Sequence, residues 1–147
     1  MQAHSQALTD AARELTDQGR QDVVSVIQAS LVATNFAIEK IISSPYVRAQ
    51  QTACLAQKTL AFDKEIEIVD CLMPDADPHA VLQMLDVQKA QSLLLVSHQP
   101  LVSDLLSLLT QGHLQANIHM ATATLAYITV ASSVALGCGE LQWLKHA

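Results

Sequence analysis

Aromatic side chains are scarce in this sequence: Phe, Tyr and Trp make up 3% of a chain in which 50% of residues are hydrophobic. A core must therefore be built from Leu, Ile, Val and Ala. Glycine is also rare, with four in 147 residues. No glycine-rich loop follows any strand-like segment, which leaves an α/β nucleotide-binding domain without its usual phosphate cradle. Positive charge is short as well, and eight Lys and Arg against fourteen Asp and Glu give a net charge of −6. That balance argues against nucleic acid or an anionic membrane surface as a general partner, but leaves room for a small anion in a local basic pocket. The three cysteines, Cys54, Cys71 and Cys138, are widely spaced and form no C-x-x-C. They read as free thiols of a reducing cytoplasm, with neither a disulfide framework nor a zinc ribbon. The opening "MQAHSQALTDAARELTDQGR" lacks the apolar core and basic flank of a signal peptide.

What is present suits one domain over residues 1–147. Met120 to Gly139 carries no charge, close to the roughly twenty residues of a membrane span. Its Ala, Thr, Ser and Gly content, and the β-branched "TLAYITV" within it, read instead as a strand of a soluble protein.

Thr16 is placed to cap a helix, with Asp17 in its first turn and Val23, Val24, Ile27 and Leu31 at helical spacing. "AIEKIIS" reads as a short strand, followed by a helix with Pro45 in its first turn. "EIEIV", Glu65 to Val69, alternates as a half-exposed strand, and Pro78 opens a further helix after the "MPDADP" loop. "SLLLVS", Ser92 to Ser97, is a continuous apolar run suited to a parallel strand covered on both faces, and a helix "LVSDLLSLL" follows it. "TLAYITV" and "GELQWLK" close the chain as two strands, with Gly137 and Gly139 fitting the bend between them. The alternation predicts an α/β fold: a mainly parallel sheet between helical layers, with a C-terminal antiparallel hairpin.

Ligands of such sheets bind beyond the carboxyl ends of the strands, and "SSPYVRAQQT" and "SHQP" both fall there. Arg48 would sit near a helix N-terminus, where its planar fork and the helix N–H groups suit phosphate oxygens; Ser43 and Ser44 could add hydroxyls. A plain surface ion pair would also account for Arg48. His98 emerges from a buried strand before a proline, where an imidazole can move a proton or stabilise a phosphoryl group. It could equally be bonded within its loop. His113 and His119 are six apart and do not form a metal-binding helical pair. His79 reads as exposed at a helix start, and Asp75 and Asp77 could supply an acid or cap the next helix.

Together these residues resemble the histidine phosphatase superfamily, in its small SixA-type phosphohistidine phosphatase branch, over nearly the whole chain. "ARELTDQGR" is similar to the branch's R-x-L-T-x-x-G segment, "SSPYVRAQQT" to S-S-P-x-x-R-A-x-Q-T, and "LLLVSHQP" to V-x-H-x-P. The resemblance implies a three-layer, phosphoglycerate mutase-like fold. It makes Arg48 a phosphate-clamping arginine, His98 the second pocket histidine, and Arg13 a further arginine over the same phosphate. Gln51 and Thr52 would support the helix. It implies a phosphohistidine-bearing protein as substrate and no metal or organic cofactor; the cytoplasmic setting rests on the free thiols.

One family element is absent. The family opens on an interior strand ending in Arg-His-Gly, whose histidine takes up the phosphoryl group. This sequence contains no Arg-His-Gly, and "MQAHSQ" resembles the family's residues just after that motif. His4 lies in a polar stretch and does not replace it. A covalent phosphotransfer cannot run without its nucleophile. The expectation is therefore an N-terminally shortened phosphatase, with a phosphate-binding pseudo-enzyme or a small-molecule phosphomonoesterase as the alternatives.

Overall fold

The computed structural model describes residues 10–34, 37–114, 118 and 120–147; His4 and His119 lie outside them. Helix α1, Asp17–Ala33, starts where Thr16 predicts, its hydroxyl accepting the Gly19 N–H at 3.0 Å. Its buried stripe is Val23, Val26, Ile27 and Ser30, whereas Val24 and Leu31 are only half-buried. A serine can join the stripe because its hydroxyl donates to the Val26 carbonyl at 2.6 Å, leaving no unpaired polar atom inside.

Strand β1, Lys40–Ser43, is shorter than the seven-residue apolar segment suggested, because its ladder with β3 begins at Lys40 opposite Leu93. Helix α2, Val47–Thr59, follows. Pro45 precedes it rather than entering its first turn: Tyr46, in extended conformation, is the cap residue. Strand β2 shrinks to Glu67–Ile68, pairing with the end of β1 only. Helix α3, Pro78–Asp86, is capped by Asp77 with Pro78 at its first position. Strand β3, Leu93–Val96, leads to helix α4, Leu101–Gln111. Strands β4, Thr124–Val130, and β5, Gly139–His146, form the antiparallel hairpin.

The parallel sheet has the order β2-β1-β3. Neighbouring side chains on its strands point to opposite layers, as the pleat requires. Ile41, fully buried, packs with Ala49, Ala53 and Val96 toward α2, while Ile42 packs with Leu72, Val81, Leu101 and Leu105 toward α3 and α4. This is the three-layer α/β/α arrangement, with helices α1 and α2 on one face and α3 and α4 on the other. The hairpin continues the same layers: Leu125 joins Leu94 against the α1 cluster, and Ile128 joins Leu95 against the α4 cluster. Among the described residues, however, β3 and β4 are not paired, and the sheet is split into three strands and two.

The hairpin is also held at its loop end, where Gly139 pairs with Val130. Gly139 stands so close to α4 that an added Cβ would lie 2.9 Å from Ile128 and 3.0 Å from the Leu109 carbonyl, so the backbone approach needs glycine. The segment that raised the membrane question thus holds strand β4 and the connection to β5, and no described helix is long and apolar enough to cross a membrane.

Candidate functional site

Strands β1 and β3 run parallel and end together, with Ser43 opposite Val96 and the Ser44 N–H donating to the Val96 carbonyl at 2.9 Å. The chain leaving β1 turns through Pro45 and Tyr46 and places Arg48 in the first turn of α2. The chain leaving β3 places His98 two residues past the strand; its carbonyl accepts the Val102 N–H at 2.9 Å as α4 begins. The two side chains forecast to share a pocket therefore come from adjoining strand ends, with the Tyr46 ring near both. That ring lies 5.1 Å from the His98 ring and 5.2 Å from the Arg48 guanidinium carbon.

His98 is 9% exposed, and its Nε2 is 2.7 Å from Ser44 Oγ. Ser44 Oγ also accepts the Tyr46 N–H at 3.3 Å; with its second lone pair and its own proton it either accepts from Nε2 or donates to it, according to the imidazole tautomer. With Ser44 as the donor the imidazole proton sits on Nδ1, a nitrogen without a hydrogen-bond partner among the described residues. Burial first, and the positive charge of Arg48 second, push the His98 imidazole down to about 4, against an opposing pull from Asp10. At neutral pH the ring is uncharged, and in that tautomer it can offer its N–H to an anion.

Arg48 is less free than its sequence position suggests. Its Nη1 donates to the Asp10 backbone carbonyl at 2.8 Å, and Nη1 and Nη2 each reach a carboxylate oxygen of Asp10 at 3.4 Å. The same carboxylate takes Arg13 Nη2 at 3.3 Å. Arg13, with 66% of its side chain exposed, thus comes to the rim of the site through Asp10, and Arg48, at 19%, is its inner member. Gln51 anchors the segment bearing Arg13, accepting the Leu15 N–H at 2.8 Å and donating to Glu14 at 3.2 Å. Thr52 returns its hydroxyl to the Arg48 carbonyl at 2.9 Å, a bond within the helix.

Other sequence candidates go elsewhere. Ser43 and Ser44 are fully buried; Ser43 donates to the Ser44 carbonyl and Ser44 serves His98, so their hydroxyls are not turned to a ligand. Asp77 caps α3 by accepting the His79 N–H at 2.9 Å, and that bond holds its carboxyl below the usual range. Asp75 is exposed in the same loop, and His79 and His113 are exposed. Among the described residues, no three His, Cys, Asp or Glu are grouped to hold a metal ion. An open groove of about 320 Å³ beside α2, between Arg20 and Lys58, includes neither Arg48 nor His98. Asp10 and Tyr46 were not foreseen. Asp10 had one local signal, its spacing of three from Arg13, but its meeting with Arg48 spans 38 residues.

The site can be set beside known proteins. The family model of the histidine phosphatase superfamily (branch 1) matches residues 3–73. The chain is 35% identical over 118 residues to the phosphohistidine phosphatase SixA homolog of Haemophilus influenzae, covering 72% of this chain and 70% of that protein. It is 30% identical over 141 residues to phosphohistidine phosphatase SixA of Escherichia coli, covering 93% and 83%. Its fold is similar to the solved structure of the protein histidine phosphatase SixA complexed with tungstate, at a TM-score of 0.80 and 28% identity over 93% of this chain and 86% of that one. With Arg48 and His98 at adjoining strand ends of a three-layer α/β/α fold, and with relatives matched along most of their length, this chain belongs to the histidine phosphatase superfamily, in its SixA-type branch.

Proposed function

We propose that this chain carries the phosphate-holding half of a phosphohistidine phosphatase site, acting on phosphohistidine borne by a protein, and that it binds the phosphoryl group without turning it over. The observation that carries the reading is the convergence of Arg48 and His98. A guanidinium fork at a helix start and an imidazole N–H beside it offer donors to several oxygens of one tetrahedral anion. Tungstate, held by the similar SixA structure, is such an anion. Arg13 adds a second guanidinium at the rim.

Transfer would require a nucleophile to form a bond to phosphorus as the P–N bond to the substrate imidazole breaks. In the family that role belongs to the histidine of Arg-His-Gly, a tripeptide this sequence does not contain. His98 is a poor substitute, since its Nε2 is tied to the buried Ser44 hydroxyl at 2.7 Å. Its role here is to hold a phosphoryl oxygen.

The test is calorimetric titration of the chain with a phosphohistidine peptide, alongside an assay of phosphate release. Wild type should bind, R48A should weaken binding at least tenfold while keeping the wild-type circular dichroism spectrum, and phosphate should appear no faster than in buffer. Equal binding by R48A would remove the site. Release catalysed by the chain would show that a nucleophile is present and that the inert reading is wrong.

A further inference from the structure

The occupant of the Arg48 guanidinium is itself informative. Asp10 presents two carboxylate oxygens, one to each terminal nitrogen of Arg48, in the side-by-side manner in which a guanidinium takes a phosphate. Both contacts are 3.4 Å, and the Arg13 contact is 3.3 Å. Charge-assisted bonds of full strength run at roughly 2.7–2.9 Å. The carboxylate is therefore loosely held, and 42% of its side chain is exposed, so it can swing into solvent. The one short contact, 2.8 Å from Arg48 Nη1, goes to the Asp10 backbone carbonyl and does not depend on the side chain.

We propose that the Asp10 carboxylate is an internal competitor for the oxyanion site: it occupies the donors of Arg48 and Arg13 that a phosphoryl group must use, and sets the affinity an external anion has to exceed. This rests on the phosphate-site reading above. Two guanidinium groups face one carboxylate, so the cluster keeps an excess of positive charge. A phosphate dianion brings twice the charge of Asp10 and more oxygens, and displaces it. A lone carboxylate ligand brings no advantage over the one already there. Asp10 thus determines which anions can enter, without touching the reacting atoms.

D10N keeps the shape and the backbone carbonyl contact and removes the charge, and D10A removes the side chain beyond Cβ. Inorganic phosphate is titrated into the 147-residue chain at pH 8 by calorimetry, with R48A as control. Loss of a competing charge a few ångströms from the anion should tighten phosphate binding about tenfold in both variants. The imidazole of His98 should titrate lower in both, because Asp10 no longer pulls it up. If D10N and D10A bind phosphate equally or more weakly while R48A abolishes binding, Asp10 is a positioning residue and the competitor role is overturned, with the phosphate site intact. If R48A binds as well as wild type, or if neither wild type nor D10N binds phosphate, the phosphate-site reading falls and this inference with it. Binding by D10N where wild type shows none would be the strongest support.

Discussion

Neutralising Arg48 should be read most directly at His98. The imidazole is held at about 4, and an exposed histidine titrates near 6.5, so the native ring resists protonation by roughly 2.5 pH units, or about 3 kcal/mol. Burial supplies the larger share and the charge of Arg48 the next. The Tyr46 ring, 5.1 Å from one group and 5.2 Å from the other, bounds their separation. At a limit of about 10 Å and an effective dielectric constant of roughly 20 to 40, Coulomb's law gives about 1–2 kcal/mol, near one pH unit. R48M should therefore raise the His98 midpoint by about one unit, still short of 6.5 because burial persists. The assay is a long-range ¹H–¹⁵N correlation series from pH 3 to pH 8, which also reports the tautomer, expected with the proton on Nδ1. The same shift acts on stability. A folded-state value below the unfolded one means that the unfolded chain takes up this proton first as pH falls, so the contribution is complete above about 6.5 and is lost between 6.5 and 4. A wild-type midpoint at or above 6.5 would refute the burial argument. A midpoint near 4 in both proteins would refute the role given to Arg48.

Two further outcomes are expected from the packing around the site. S44A removes the buried hydroxyl from His98 Nε2 and should cost about 1–3 kcal/mol in urea unfolding, with the proton redistributing between the two ring nitrogens in the same correlation spectra. L72A removes a fully buried side chain beneath the loop that supports Ser97 and should cost about 2–5 kcal/mol by the same unfolding assay; a loss below 1 kcal/mol would mean that the α3–α4 cluster is less tightly packed than described.

The hydrophobic pattern and punctuation of this sequence determined its elements. Thr16 and Asp77 cap the helices they precede, "SLLLVS" contains the parallel strand it suggests, and "TLAYITV" is strand β4 from end to end. These features are local: a cap, a proline and an apolar run act within a few residues, so they can be read one after another. The order of elements then implied parallel strands ending on one side, and so that Arg48 and His98 would meet.

Tertiary structure decided what each of those side chains does there. Two strand ends set side by side turned Ser44 inward as the partner of His98, although the sequence offered it as a ligand group. Burial and a cation, both supplied by distant segments, keep that histidine neutral. The short strands also needed three-dimensional context, since β1 extends only as far as β3 is there to pair with it, and β2 only as far as the end of β1. Above all, the donors of Arg48 are taken by Asp10, 38 residues earlier, through a contact that no periodicity or spacing encodes. Charges along a chain can be counted, but which carboxylate lies against which guanidinium is set by how helices and strands pack, because an ion pair depends on distance in space and not on separation in sequence.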